Sequence, residues 1–276
     1  MIRTQAAMGT IVSIEVDAPA HVVTRAFEWF QQVEAVCSRF DPDSELRRLV
    51  VGEATPASPI LFEAVSFALK VAHATDGAFD PTLGSRMAAR GYNRHYATML
   101  ATDAPGVDDS SFRDVVLDAT HHTILLKRPL TLDLGAVAKG LAVDAATREL
   151  QPFHDFCIDA GGDIYFGGRN PAGKPWSVGV RHPHRRDEIV ARLQVADCAV
   201  CTSGNYERGP HILDPRNAAT ASRVASATVI APNTMLADAL ATAAFVLGPE
   251  QGIALLEHMG VQGLLITPAL EQHCTL

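Results

Sequence analysis

The sequence predicts an α+β fold, with mixed and largely antiparallel sheets and packed helices. Some segments alternate apolar and polar residues, which is the pattern of half-buried strands, and others repeat apolar residues at helical spacing. Strand-like runs occur both as hairpins and beside helices, so a regular βαβ alternation is not favoured. The 276 residues can bury a substantial core. Because no long linker or internal repeat is present, we predict one domain over residues 1–276.

The first elements are a strand and two helices. Residues 9–17 alternate and predict a strand, and helical spacing follows over residues 21–37. In the next loop, Ser44 is placed to cap a short helix. A better-marked helix begins after Ser58, with proline as its first residue, and is expected to end before Gly77.

The middle of the chain is predicted to contain an irregular surface segment, a hairpin and a helix of small residues. Residues 91–112 are polar and weakly patterned, which predicts a surface excursion. The runs Asp114–Leu117 and Thr123–Leu126 flank turn-forming residues and predict a hairpin. Residues 131–146 should form a short strand at Thr131 and Leu132, a turn, and then a helix.

The C-terminal half supplies most of the predicted strands. Strands are predicted at Phe156–Asp159, Trp176–Val180, Ile189–Val195, 224–231 and Leu264–Thr267. Helices are predicted at 233–247, closed by Gly248, and at 250–259. The basic segment 181–188 is interpreted as a solvated loop, although it could also contact a phosphate.

Composition restricts the possible partners. The net charge of -8 disfavours a general nucleic-acid surface, and no apolar run approaches the roughly 20 residues that span a bilayer. The N-terminus lacks the pattern of a signal peptide, which predicts a cytoplasmic protein, or a periplasmic one if a leader was removed. Five scattered cysteines do not indicate a disulfide framework. Cys198 and Cys201 form a C-x-x-C, but in a strand they would point to opposite faces.

Two local patterns suggest chemistry. Asp238 and Thr242 are four residues apart on a predicted helix, so they share a face and could offer oxygen ligands to Mg²⁺. Alternatively, Asp238 only favours the helix N-terminal half and Thr242 packs inside. His211 could be a general base near neutral pH, or a core histidine bonded to backbone.

The helix over residues 131–146 could bind a phosphate. Its N-terminal N–H groups and Lys139 would favour an anion. The alternative is a helix packed tightly on a sheet, with Lys139 reaching into water. A Walker loop is excluded because Lys139 precedes its glycine, and a dinucleotide fingerprint is excluded because Gly161 and Gly162 open a strand.

Taken together, nine segments resemble the FAD:protein FMN transferase family, also called the ApbE family. No single segment is decisive, but eight or more in a fixed order are specific, and they run from residue 8 to residue 248. In chain order they are Met8-Gly9-Thr10, FDPDSEL, GAFDPTLG, DLGAVAKGLAVD, DAGGDIYFGG, WSVGV, TSGNYER, HILDP and ADALATAAFVLG.

The resemblance implies a Mg²⁺-dependent flavin transferase. FMN would move from FAD to a threonine or serine hydroxyl of an acceptor flavoprotein, and AMP would leave; the enzyme would act as a monomer or homodimer. The metal would be held by Asp238, Thr242 and the backbone carbonyl of Ala136, and His211 would take the proton of the attacking hydroxyl. The FAD site would comprise Met8, Ser44, Glu45, Phe79, Asp80, Lys139, Asp144, Gly161, Gly162, Thr202 and Ser203.

The chain departs from the family pattern at three places. Val50 stands where the family often has asparagine, His182 precedes Pro183 where an acid is usual, and a single histidine precedes I-x-D-P. None of these removes a proposed metal ligand or the base. Two other functions remain open: a Mg²⁺-dependent FAD hydrolase that uses water as the nucleophile, and a non-catalytic FAD-binding protein.

Overall fold

The computed structural model describes residues 1–96, 98–106, 109–205, 209, 211–217 and 219–275, and of residue 186 only the backbone. The strands in this part of the chain are β1 (Ile2–Ala7), β2 (Thr10–Val16), β3 (Ala54–Pro56), β4 (Val115–Asp118), β5 (Thr123–Leu126), β6 (Phe156–Ala160), β7 (Asp163–Gly167), β8 (Trp176–His182), β9 (Arg185–Val195), β10 (Cys198–Gly204), β11 (Ser226–Ala231), β12 (Gln262–Ile266) and β13 (Gln272–Cys274). The helices are α1 (Ala20–Cys37), α2 (Pro59–Ala74), α3 (Gly84–Ala89), α4 (Gly135–Leu150), α5 (Thr234–Leu247) and α6 (Pro249–His258).

Local signals in the sequence explain where the helices begin and end. The Ser58 hydroxyl accepts a hydrogen bond from the Leu61 N–H at 3.3 Å, so it caps α2 ahead of the proline at its first position. Asn233 caps α5 in the same way, at 2.9 Å from the Leu236 N–H. Gly248 ends α5 with a φ of 84°, a conformation that favours glycine. The predicted start of α2 after Ser58 and the predicted end of α5 at Gly248 are therefore confirmed, and Asn233, predicted as the first helical residue, is instead the cap of α5.

An eight-stranded sheet organises the fold. Its order is β1-β2-β6-β7-β10-β11-β12-β13, and each neighbouring pair is antiparallel. Apolar residues on one face join α1, α2, α4, α5 and α6 in a single buried cluster that extends from Ala7 to Leu265. The alternation that predicted strands therefore reflects a sheet with one face in the core. The mixed, antiparallel α+β architecture is confirmed.

Two smaller sheets complete the structure. β3, β5 and β4 form a three-stranded sheet, and β8 pairs with β9 as a long hairpin. Trp176 of the hairpin packs on the second face of the main sheet with Phe166 and Val200. Its indole N–H donates to the Gly167 carbonyl at 3.0 Å, which anchors the hairpin there.

Two expectations for local structure are wrong. Thr131 and Leu132 form no strand, since Thr131 makes only a single bridge with Leu83. Thr131 and Asp133 form hydrogen bonds with residues 81–84 instead. The Gly84 N–H donates to the Thr131 carbonyl, and the Asp133 N–H donates to the Pro81 carbonyl. The basic segment 181–188 is also not a loop.

In that segment, β8 and β9 remain paired as far as His182 and Arg185, so only two residues form the turn. The His182 ring is buried, and its Nδ1 accepts from the His184 and Arg185 N–H groups at 3.1 and 3.2 Å. The His182 side chain thereby accepts hydrogen bonds from the backbone N–H groups of the turn, and the charges in the sequence do not indicate this.

The short helix after Ser44 is a single 3₁₀ turn, Leu46–Arg48. The Ser44 hydroxyl accepts from the Arg47 N–H at 3.3 Å, although Glu45 is the residue that flanks the helix. Among the described helices, none has the length and apolar character required to cross a membrane.

Cys198 and Cys201 are free thiols that lie on β10. Cys201 packs in the main core and Cys198 against the β8–β9 hairpin, so they lie on opposite faces of β10 as predicted. Burial raises the pKa of Cys198 and raises that of Cys201 well above its usual value. Both thiols therefore stay protonated near neutral pH.

We expect iodoacetamide to modify Cys274 much faster than the other four cysteines in the native protein. Cys274 is exposed, whereas burial raises the pKa of Cys37 and of Cys157 to about 12, which removes the reactive thiolate. Peptide mass spectrometry after brief alkylation measures this selectivity, with guanidinium-unfolded protein as the control in which all five react. Rapid native labelling of Cys201 would contradict the buried position of β10.

Candidate functional site

A cavity of about 570 Å³ opens between the main sheet, α4, α5 and the loops around α3. This volume is within the range of about 300–1,000 Å³ that is typical of cofactor sites. The structure brings most of the predicted site residues together in its walls. The predicted residues that line the cavity are Phe79, Asp80, Ala136, Lys139, Gly161, Thr202, Ser203, His211, Asp238 and Thr242.

The first turn of α4 forms one wall. Its backbone is not helical at Ala136, where φ is -95° and ψ is 19°. Because a regular helix has a ψ of about -42°, this residue rotates its carbonyl out of the helical direction. The Asp133 carboxylate accepts from the Gly135 N–H at 2.9 Å and thereby fixes the turn that precedes the kink.

The carboxylate of Asp133 is held in turn by a buried arginine. Arg39 lies 2.9 Å from Asp133 and also donates to the Tyr92 carbonyl at 2.6 Å. Only 6% of the Arg39 side chain is exposed, so this ion pair joins three loops around the cavity in a largely dry environment.

The metal-ligand candidates on α5 face the same space. Asp238 is buried and Thr242 lies one turn further along, as the four-residue spacing predicts. The Ser203 and Thr242 hydroxyls are 3.0 Å apart and form a hydrogen bond. Both residues line the cavity, as the metal-ligand prediction requires.

Lys139 lies between two buried carboxylates. Its ammonium forms an ion pair with Asp163, and it is 3.7 Å from the Oδ2 atom of Asp238. The exposed fraction of the side chain is 15%, so the alternative in which Lys139 reaches into water is wrong. Lys139 lines the cavity instead.

α4 and α5 approach each other closely at one glycine. A Cβ atom on Gly140 would lie only 2.5 Å from the Cα atom of Met235. No side chain can occupy that space, which explains why the sequence places small residues here. The close approach brings Ala136 and Asp238, about a hundred positions apart in the chain, to one cavity.

Asp144 also joins α4 to α5, and it is not among the residues that line the cavity. Its carboxylate accepts from the N–H groups of Thr234 and Met235 at 2.7 and 3.0 Å. Burial raises the pKa of Asp144, while these two N–H groups act in the opposite direction. Asp144 thus binds the first turn of α5, the helix that carries Asp238, rather than the cavity itself.

Asp144→Ala is expected to lower the free energy of unfolding by about 2–4 kcal/mol, because two donors at a helix start lose their partner. Urea unfolding followed by circular dichroism measures the change. The matched control is Glu257→Ala, which removes an exposed carboxylate from α6 and should have little effect. Equal stabilities for the two variants would show that Asp144 does not hold α5.

His211 lies in the cavity wall beside Tyr92, with 6.3 Å between the ring centroids. Its Nδ1 atom is 2.8 Å from the Gly209 carbonyl. Because a carbonyl oxygen can only accept, Nδ1 carries the proton, and in the neutral ring Nε2 carries the lone pair. The backbone bond of the alternative interpretation is therefore present, although the ring is only partly buried, and the general-base role stays a prediction.

Five predicted site residues lie outside the cavity lining given by the described residues. Asp144 binds α5, and Ser44 is fully buried, donating to the Ser38 carbonyl at 2.6 Å. Glu45 accepts from the Ser58 N–H at 2.6 Å. The Met8 N–H donates to Glu34 at 3.0 Å, and the Gly162 N–H donates to Asp159 at 2.8 Å.

Sequence reasoning missed several residues of the cavity. Arg39, Asp163, Tyr92 and Met99 line it but were not assigned to the site. Two of them come from residues 91–112, which the polar pattern predicted only as a surface excursion. A signal existed for Asp163, which belongs to the AGGD segment, and for Arg39, which is a charged residue directly before FDPD.

Part of one family segment, and one residue beside another, lie outside the described residues. These are Tyr206, Glu207 and Arg208 of TSGNYER, and Pro210 directly before HILDP. Most of the described residues of TSGNYER and HILDP, including Thr202, Ser203 and His211, are in the cavity wall.

Comparison with known proteins agrees with the fold and the segments. The ApbE family model matches residues 8–265. The FAD:protein FMN transferase of Treponema pallidum (strain Nichols) is 34% identical over 306 aligned positions, which cover 96% of this chain and 84% of that protein. The FAD:protein FMN transferase of Vibrio cholerae is 29% identical and covers 86% of this chain and 76% of its own length.

A solved structure shows the same architecture. The ApbE protein of Thermotoga maritima superposes with a TM-score of 0.88 at 26% identity, and the match covers 100% of this chain and 96% of that one. The sequence and structural matches both span nearly the whole chain. The chain therefore belongs to the ApbE family.

Proposed function

We propose that this protein is a Mg²⁺-dependent flavin transferase, which moves FMN from FAD onto a threonine or serine hydroxyl of an acceptor flavoprotein and releases AMP. The observation that carries the proposal is one cavity in which Asp238, Thr242, Ala136 and His211 meet. Relatives at 34% and 29% identity are named FAD:protein FMN transferases, which supports the same activity here.

The donor set fits a small hard cation. Asp238 offers a buried carboxylate, Thr242 a hydroxyl, and the kink at Ala136 turns a backbone carbonyl out of its helix. Mg²⁺ prefers oxygen ligands and usually takes only one or two protein carboxylates, with its other positions filled by water and substrate phosphates. When bound, it would neutralise charge that develops on the phosphate oxygens.

The protein groups would bind and orient the two substrates. Phe79 is a buried apolar surface of the cavity, and Gly161, whose φ of 68° favours glycine, lines the same cavity. The Asp80 carboxylate accepts from the Thr82 and Phe112 N–H groups at 2.8 and 3.1 Å, so it shapes the wall of the FAD site. Arg39 and Lys139 supply positive charge in the walls.

His211 would accept the proton of the attacking hydroxyl at Nε2. The acceptor oxygen forms a bond to the phosphorus on the FMN side of FAD, and the bond from that phosphorus to the bridging oxygen breaks. AMP leaves with the bridging oxygen, and FMN remains attached through a phosphoester. Such a transfer depends on positioning and charge neutralisation more than on covalent participation by the enzyme.

The residues outside the cavity have supporting roles in this proposal. Ser44, Glu45, Met8 and Gly162 hold the loops that border the FAD site through their backbone and side-chain bonds.

The experiment is co-expression with a flavoprotein encoded beside this chain, followed by intact mass spectrometry of that flavoprotein. The expected result is an added FMN, with release of AMP in the purified reaction. The control is the acceptor with its labelled threonine or serine replaced by alanine, which should gain no mass. FMN and AMP formed equally with and without acceptor would indicate a hydrolase instead. FAD that stays intact with Mg²⁺ and acceptor would indicate a binding protein.

A further inference from the structure

One ion pair in the cavity lies beside Asp238, the carboxylate of the proposed metal site. Lys139 Nζ pairs with Asp163 and lies 3.7 Å from the Asp238 carboxylate. The exposed side-chain fractions are 15% for Lys139, 5% for Asp163 and 9% for Asp238. Charges this well buried are weakly screened, so each one strongly affects the other two.

Two cations would compete for one carboxylate. The ammonium of Lys139 can satisfy Asp238 directly, and a divalent cation that binds Asp238 would be repelled by an ammonium at that distance. Lysine has a flexible four-carbon stem, so small rotations are enough to move Nζ from one carboxylate to the other. The charge on Asp163 therefore determines how much of the ammonium is directed at Asp238.

We propose that Asp163 is a positioning residue that keeps the Lys139 ammonium closer to itself than to Asp238 and so leaves the Asp238 carboxylate accessible to a divalent cation. The inference rests on the proposed function, because it takes Asp238 as the metal ligand. In the absence of metal, Lys139 would offset the charge of Asp238. When the metal binds, Asp163 retains the ammonium.

The two halves of the pair should have opposite effects. Asp163→Asn releases Lys139 toward Asp238, so the cation has to displace it and binds at least about 10-fold more weakly. Lys139→Met removes the competing charge and leaves two carboxylates facing the site, so the cation binds several-fold more tightly. A role that is only structural would weaken binding in both variants, which separates it from positioning.

The test is titration of the purified protein with Mn²⁺ alone, without FAD, and detection of free Mn²⁺ by electron paramagnetic resonance at fixed pH. The double variant Lys139→Met/Asp163→Asn removes both charges together. Because it loses the competing ammonium and also one carboxylate, its affinity for Mn²⁺ should lie between those of the two single variants. Circular dichroism reports whether Asp163→Asn folds. If it does not, the direction in which Lys139→Met changes the Mn²⁺ affinity still shows whether the ammonium competes with the cation. Weaker binding by Lys139→Met, or unchanged binding by a folded Asp163→Asn, would overturn the proposal.

Asp238→Asn separates this inference from the proposed function. If Asp238→Asn loses Mn²⁺ while the two pair variants bind like the wild type, the metal site stands and the positioning role is wrong. If Asp238→Asn binds Mn²⁺ like the wild type, the metal assignment fails, and the role of Asp163 fails with it.

Discussion

Asp238→Ala is expected to abolish FMN transfer to an acceptor, with a loss of at least about 1,000-fold, while the protein stays folded. The carboxylate is buried in the cavity wall and is the one carboxylate in the proposed metal-ligand set. Without it, the remaining hydroxyl and carbonyl are neutral, and they cannot compensate the charge of a bound divalent cation. The positive charge of the cation would therefore no longer stabilise the negative charge that develops on the pyrophosphate oxygens.

The measurement is the transfer of flavin fluorescence to the acceptor, separated by gel electrophoresis. Glu257→Ala is the matched control, since it removes a carboxylate from the exposed side of α6 and should transfer FMN at the wild-type rate. Circular dichroism should show the same helix and strand content for both variants. Lys139 keeps Asp163 as an ion-pair partner in Asp238→Ala, so no unpaired ammonium remains buried. Labelling at the wild-type rate by Asp238→Ala would refute the metal assignment.

His211→Ala should retain FAD binding but slow the transfer by about 10²–10⁴-fold, which is the usual contribution of a general base. The Gly209 carbonyl fixes the proton on Nδ1 and so orients Nε2 as the accepting nitrogen. Removing the ring leaves the cation site intact, because His211 is not among the proposed ligands. The expected signature is therefore a lower kcat with a nearly unchanged Kd for FAD.

Single-turnover labelling measures the rate, and quenching of flavin fluorescence measures the Kd for FAD. His21→Ala serves as the control, because this histidine is exposed at the start of α1, away from the cavity lining. If His211→Ala transfers FMN as fast as His21→Ala, another group takes the proton. If it loses FAD binding instead, the ring contributes to the cavity wall rather than to proton transfer.

Much of the fold could be predicted because the spacing of apolar residues and the helix caps, which are local features, indicate most of its helices and strands. The alternation in residues 9–17 corresponds to β2, and the Ser58 and Asn233 signals start α2 and α5. Strands β1 and β13 lie at the edges of the sheet, and neither was predicted as a separate strand. Their pairing depends on the neighbouring strand rather than on their own pattern.

The candidate site divides in a similar way. The residue types for metal and proton chemistry, Asp238, Thr242 and His211, could be proposed from spacing and from family segments. The roles of Asp144 and Lys139 could not, because a carboxylate that lines a cavity and one that holds a helix behind it look alike in a sequence. The same holds for Arg39, whose partner Asp133 is 94 positions away.

The sequence by itself determined the α+β class, most of the helices and strands, and the family segments. It could do so because hydrophobic periodicity, caps and short motifs are properties of neighbouring residues. Only the tertiary structure decided which charges meet: Lys139 with Asp163 and Asp238, and Asp144 with the start of α5. These contacts depend on the distance between α4 and α5, which the packing at Gly140 sets. The energy of a buried charge depends on such distances, and a linear pattern does not contain them.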